Sequence, residues 1–75
     1  MKPYKDLDKD SNILEYEERD DRITVKFKNG EFSNYEYTYI SAGRVAIEEM
    51  KRLARCGDGL NSFISKNDPK YSRKF

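Results

Sequence analysis

Histidine is absent from the 75-residue chain, and so is tryptophan. Without histidine there is no Ser-His-Asp or Cys-His catalysis, no histidine-based zinc hydrolase pattern, and no side chain that ordinarily titrates near neutrality. Cysteine occurs once, as Cys56, which excludes an intrachain disulfide framework. No apolar run approaches the roughly 20 residues of a membrane span. The N-terminal stretch MKPYKDLDKD lacks the apolar segment of a secretory leader, so no signal peptide and no membrane contact are expected, and the expected location is the cytoplasm. The length leaves room for one small domain. Charged residues make up 39% of the chain and hydrophobic ones 36%, so the core must be small.

The net charge of +1 hides an uneven distribution. Residues 1–21 carry four basic and eight acidic side chains, a local charge of −4. Residues 22–75 carry eleven basic and six acidic ones, a local charge of +5. The excess is concentrated at the end, where Lys51, Arg52, Arg55, Lys66, Lys70, Arg73 and Lys74 face only Asp58 and Asp68 in residues 51–75. An acidic front and a basic back imply a polarised surface.

Strand patterns come first and helix patterns second. Residues 1–11, with Pro3 and six charges, read as a mobile acidic arm, and residues 12–75 as the single domain. Residues 13–18 form a short expected strand in which Leu14 and Tyr16 alternate with Glu15 and Glu17. Arg19-Asp20-Asp21 supplies turn chemistry. Residues 22–28 are the clearest strand, with Ile23, Val25 and Phe27 on one face and Thr24, Lys26 and Lys28 on the other. Asn29-Gly30 is a strong hairpin signal, because a type I′ turn needs positive φ at both central positions. The return strand over residues 31–40 contains Phe32, Tyr35, Tyr37 and Tyr39.

A two-residue turn at 29–30 pairs Phe27 with Phe32 and Thr24 with Tyr35. The tyrosines then share the face of Thr24 and Lys26. Either they form an aromatic row there, as in RNA-binding sheets that stack bases, or a bulge near Ser33-Asn34 turns them into the core. Ser41 is the expected N-cap of a helix over residues 42–56, and Gly57 its terminator. Ala46, Ile47, Met50, Leu53 and Ala54 lie on its apolar stripe. Arg44, Lys51, Arg52 and Arg55 lie opposite, with Glu48 and Glu49 positioned to pair with Arg52. Asp58 is the expected cap of a short second helix over residues 59–66, buried through Leu60, Phe63 and Ile64. The tail from Lys70 adds an edge strand or lies over the sheet. The fold class is α+β: a three-stranded antiparallel meander, one main helix and one short helix.

Several residues in order resemble a known family. Residues 23–30, ITVKFKNG, are followed by Tyr35-Glu36-Tyr37, then Leu53-Ala54, then residues 57–64, GDGLNSFI, and Tyr71. This order is similar to the KTSC domain, named for the C-terminus of lysyl-tRNA synthetase. That family is a module of about sixty residues with a central Tyr-x-Tyr. It also occurs alone in small bacterial and phage proteins. Tyr35 and Tyr37 carry over as the Tyr-x-Tyr pair. Phe32-Ser33-Asn34 makes the segment before them longer than the family pattern. The resemblance implies an α+β module for which RNA binding is the suggested role.

Two functions of different classes follow. The first is a non-enzymatic binder of RNA or another nucleic acid or nucleotide. Tyr35, Tyr37 and Tyr39 would stack bases, and Arg44, Lys51, Arg55, Lys66, Lys70, Arg73 and Lys74 would hold phosphates. Backbone N–H groups at Ser41-Ala42-Gly43 and Gly57-Asp58-Gly59 would add a phosphate cradle. The second is a protein-interaction or phage counter-defence module, an inhibitor or nucleotide sequesterer acting as a homo-oligomer. Asp6, Asp8, Asp10 and Glu17 fall at EF-hand carboxylate positions, but Ser11 stands where the loop needs glycine, and an acidic arm is the simpler reading. Cys56 flanks the apolar stripe and reads as a partly buried structural thiol. No catalysis, cofactor or metal is expected.

Overall fold

Alternating β-formers set the sheet, and the helical stripe sets what covers it. The computed structural model describes residues 1–7, 11–28 and 33–75. Strands β1 (Lys2–Pro3), β2 (Ile13–Arg19), β3 (Arg22–Phe27) and β4 (Asn34–Thr38) lead into helices α1 (Tyr39–Ala42), α2 (Arg44–Cys56) and α3 (Leu60–Asn67), and β5 (Arg73–Lys74) closes the chain. The strands form one antiparallel sheet in the order β1-β2-β3-β4-β5. The fold is α+β, and the expected three-stranded meander is its centre. Two-residue strands extend the meander at both edges, the last of them being the tail.

Asp20-Asp21 makes the tight turn of the first hairpin, with Arg19 opposite Arg22. At its far end the register slips between Ile13 and Glu15. Leu14 is the extra residue of this bulge, so its side chain faces solvent while Ile13 and Tyr16 are buried. The plain alternation expected for Leu14 and Tyr16 does not hold.

The second hairpin decides where the tyrosines go. Val25 pairs with Tyr35 and Ile23 with Tyr37, while Thr24 pairs with Glu36. The Phe27 N–H donates to the Ser33 carbonyl at 2.8 Å. Pairing is thus offset by one residue from that of a two-residue turn at 29–30, and a one-residue offset moves every side chain of β4 to the other face. Asn29-Gly30 and Phe32 themselves lie outside the described residues. Tyr35 and Tyr37 join Ile23, Val25 and Phe27 on the covered face, where aromatic area contributes most to so small a core. Among the described residues, β2, β3 and β4 place no aromatic side chain on the opposite face. That face carries cross-strand charge pairs instead: Lys26 to Glu15 (3.9 Å), and Arg22 (3.5 Å) and Arg73 (3.3 Å) to Glu36.

Helix α1 starts one turn earlier than the sequence suggests. Thr38 is its N-cap: Thr38 Oγ1 accepts the Ser41 N–H (3.1 Å), and Ser41 Oγ accepts the Thr38 N–H (2.9 Å). This reciprocal pair makes Ser41 the third helical residue, not the cap. Gly43, at φ 92° and ψ 147°, then breaks the helix before α2. Helix α2 buries Ile47, Met50 and Ala54, and Leu60 of α3 completes the same core with Ile13, Ile23 and Val25. Each large aliphatic fully removed from water contributes about 1.5–3 kcal/mol, most of it offset by chain entropy. Gly57 ends α2 in the left-handed region at φ 75°, its N–H donating to the carbonyls of Leu53 and Ala54.

The first seven residues are not a free arm. Tyr4 is buried, and its N–H donates to the Leu14 carbonyl (3.1 Å). The Leu7 N–H donates to the Gly57 carbonyl (2.8 Å). Asp58 makes no capping bond to α3. The Leu60 N–H donates instead to Tyr4 Oη (3.3 Å), so the phenol does the capping from the other end of the chain. Among the described residues no helix is long and apolar enough to cross a membrane.

Candidate nucleic-acid interface

Strand β4 and the segment after α3 bring the aromatic and basic residues together at one edge. Tyr35 is half-buried at the centre. Its ring meets Phe27 edge-on at 5.2 Å and Tyr71 edge-on at 5.0 Å, and it lies nearly parallel to Tyr37 at 6.4 Å. Asp68, at φ 45°, ends α3, and Pro69 turns the chain back toward the sheet. Strand β5 is then fixed along β4: the Ser72 N–H donates to the Glu36 carbonyl (2.6 Å), and Asn34 and Phe75 exchange two backbone bonds (2.8 and 2.9 Å). A cleft of about 310 Å³ results, lined by Phe27, Tyr35, Tyr37, Ile64, Asp68 and Tyr71.

Lys74 stands on the cleft side, whereas Arg73 pairs with Glu36 on the opposite face of the sheet. Lys74 Nζ stands 6.0 Å from the Tyr35 ring centroid, and the Arg73 guanidinium stands 4.6 Å from that of Phe75. Lys66 lies at the end of α3, and Lys70 lies beside Tyr71 in the connecting loop. Tyr71 and Phe75 are each 45% exposed, so they offer ring surface to a ligand. Asp68 is the one carboxylate lining the cleft. It repels phosphate, but it can accept a hydrogen bond from a base amino group.

The ten residues singled out from the sequence divide sharply. Tyr35 and Lys74 meet at the cleft and Lys70 lies in the loop beside Tyr71, whereas Lys66 lies at the end of α3 and Arg73 pairs with Glu36 on the other face of the sheet. Tyr37 does not offer a stacking face, being only 3% exposed. Burial pushes its phenol up to about 12, with Tyr35 a smaller contributor. Tyr39 leaves the row altogether, because it begins α1 and donates its hydroxyl to Glu48 Oε2 at 2.6 Å. That bond raises the Tyr39 pKa, and the same bond, with one from Lys51, lowers that of Glu48.

The basic stripe of α2 faces the β2–β3 turn. Lys51 is 6% exposed, and its ammonium donates to Glu48 Oε2 (3.0 Å) and to the Asp20 carbonyl (2.9 Å). It also stands 5.7 Å from the Tyr39 ring centroid. Arg55 pairs with Glu18 of β2 at 3.2 Å. Arg52 pairs with Glu49 as expected, at 2.6 Å, whereas Glu48 turns to Lys51. Lys51 is therefore a structural cation, and the sequence reading of it as a phosphate contact does not fit its burial, whereas Arg55 keeps an exposed side chain beside Glu18. Arg44 remains exposed at the start of α2, away from the aromatic cleft.

The two backbone cradles are also occupied. The Ser41 N–H is spent on Thr38, and those of Gly57, Asp58 and Leu60 on Leu53, Ala54 and Tyr4. In the EF-hand pattern, Asp6 accepts from the Ser11 N–H (3.2 Å) and lies 3.6 Å from Lys28, and Glu17 pairs with Arg19 (2.9 Å). Asp8 and Asp10 lie outside the described residues. Cys56 is exposed, not partly buried. Tyr71 and Phe75 are exposed rings beside β4 that the sequence reading did not single out as candidate contacts. Their one signal is the interleaving of rings with Lys70, Arg73 and Lys74.

No match is found when the chain is compared with protein-family models, curated proteins and solved structures.

Proposed function

We propose that the chain is a small non-enzymatic module that binds single-stranded RNA, or another nucleic acid or nucleotide, at the cleft of Tyr35 and Tyr71, with Lys70 and Lys74 beside it. The supporting observation is the open aromatic cleft of about 310 Å³ with Lys74 beside its central ring. A π-face accepts any base, and a cationic border tracks a phosphate backbone, so binding is weakly sequence-specific and strongly salt-dependent. Kinship with the KTSC domain, a cytoplasmic location and a phage origin belong to the same proposal. Action without catalysis is consistent with the missing histidine and with a lone exposed thiol that has no imidazole to activate it.

The test is fluorescence anisotropy with labelled single-stranded RNA and DNA at two salt concentrations. Affinity is expected to fall by about tenfold or more for Tyr71→Ala, the usual effect of losing one stacked base. Lys74→Ala is expected to lower the salt dependence by about one phosphate contact. Absence of binding at low salt counts against the proposal, as does binding indifferent to both substitutions. An interaction module acting as a homo-oligomer is the second reading. It is favoured by two nearly bare aliphatic side chains on another face of the molecule.

A further inference from the structure

Ile40 on α1 and Val45 on α2 are 99% and 85% exposed, although both are β-branched aliphatics in a chain with few hydrophobic residues to spare. They stand on either side of Gly43. The Thr38–Ser41 capping box fixes the angle of α1, so Ile40 is held outward by the fold. Val45 borders an open groove of about 740 Å³ floored by Ala42, Ala46 and Phe63. Its rim carries both signs: Arg44 first, then Glu48 and Glu49 one turn later, then Arg52. Arg52 is satisfied by Glu49 and Glu48 by Lys51, whereas Arg44 makes no ion pair among the described residues.

We infer that this face is covered by a second copy of the chain, in a two-fold dimer whose α2 helices cross antiparallel. A partner of one charge sign would select a rim of the other sign, and this rim has neither. Its order of signs is instead self-complementary, as an isologous interface requires. A two-fold axis near Ala46 brings Arg44 of each copy toward Glu48 and Glu49 of the other, since 44 and 48 or 49 are symmetric about 46. The same axis sets Val45 of the two copies beside one another at the centre, between the two charged contacts, and places Ile40 of each copy at the margin beyond Arg44. A formal charge of +1 per chain sets no long-range barrier to self-association. This surface is separate from the aromatic cleft, sharing only Pro69 at its margin, so dimerisation and nucleic-acid binding stand or fall independently.

Sedimentation velocity of the full chain over a concentration series is the test. A dimer is expected at roughly 100 μM. The Ile40→Asp/Val45→Asp double variant is expected to raise the dissociation constant at least about tenfold, since central apolar anchors dominate such interfaces. Both positions are exposed, and an unchanged melting curve at monomeric concentration shows that the fold is intact. Arg44→Glu and Glu49→Arg each set like charges against one another and are expected to weaken the homodimer several-fold. A mixture of the two variants restores opposite charges at both contacts and is expected to recover association. A chain that stays monomeric at about 1 mM overturns the inference. So does a dimer untouched by the Ile40/Val45 change, and failure of the mixture to recover overturns the antiparallel arrangement.

Discussion

Replacing Lys51 by methionine separates a structural cation from a ligand-binding one. Methionine keeps most of the aliphatic stem and removes the ammonium. The Asp20 carbonyl then loses its donor where the lysine side chain is nearly closed off from water. Removing a hydrogen bond made by a charged donor from such a site costs about 2–3 kcal/mol. A chain of this size has only about 4–11 kcal/mol of total stability. At about 4–8 °C per kcal/mol, the melting temperature should drop by roughly 8–24 °C. Urea denaturation is the assay: the midpoint should move down with an unchanged slope, showing that stability and not the unfolded state has changed. The variant, kept below its melting range, should bind single-stranded RNA as the parent does. An unmoved midpoint combined with lost RNA affinity would refute the assignment of Lys51 to the fold.

Three further outcomes follow from the same contacts. Gly57→Ala should destabilise by about 1 kcal/mol or more, because φ is 75° and a Cβ would lie 2.6 Å from Lys5 Cβ; thermal melting checks it. Tyr4→Phe leaves the buried Leu60 N–H without its acceptor and should cost about 1–2 kcal/mol; hydrogen exchange at the start of α3 should rise with it. Stability should decline as pH falls through the acid range. Glu48, bonded by Tyr39 and Lys51, and Asp21 and Glu49, bonded by Arg22 and Arg52, are held below the ordinary carboxylate value. A depressed carboxyl contributes fully above its unfolded pKa and loses that contribution as pH drops through the folded one. Melting temperature against pH should therefore slope less for Glu48→Gln, and an identical slope would exclude Glu48 from the effect.

What could be read without coordinates was what depends on neighbours in sequence. Strand β3, the Asp20-Asp21 turn, the Ile47/Met50/Ala54 stripe and the Gly57 stop are local patterns, and each is where its residues put it. The hairpin register was harder, because it rests on a single residue of offset. Period-two arithmetic cannot see one extra position, so it left Tyr35 and Tyr37 open between an exposed row and the core, and it took Leu14 for the inward residue where a bulge puts Ile13. Thr38 outcompetes Ser41 as a cap because the two bond each other, and either hydroxyl suits the position when viewed alone. Tyr4 and Lys51 were missed for a different reason. Their partners are 56 and 31 positions away, and a lone tyrosine in a charged stretch, or a lysine on a basic helix face, has no local mark of burial. Among the candidate binding residues on α2, Lys51 is drawn inward to the Asp20 carbonyl and Arg55 pairs with Glu18 at the surface, whereas Arg44 stays exposed. Glu18 of the acidic front thus neutralises one cation of the helix, while Glu48 and Glu49 of the helix itself pair with Lys51 and Arg52.

The most direct measurement is the affinity of single-stranded RNA for the parent chain and for Tyr71→Ala, taken side by side by anisotropy at low and moderate salt. Tyr71 is exposed and contributes one edge contact to Tyr35, so its loss should leave the fold standing. The expected result is salt-sensitive binding by the parent and an affinity lower by about tenfold or more in the variant. Equal affinities for the two chains, or no binding by the parent at low salt, would contradict the assignment of this edge to nucleic acid.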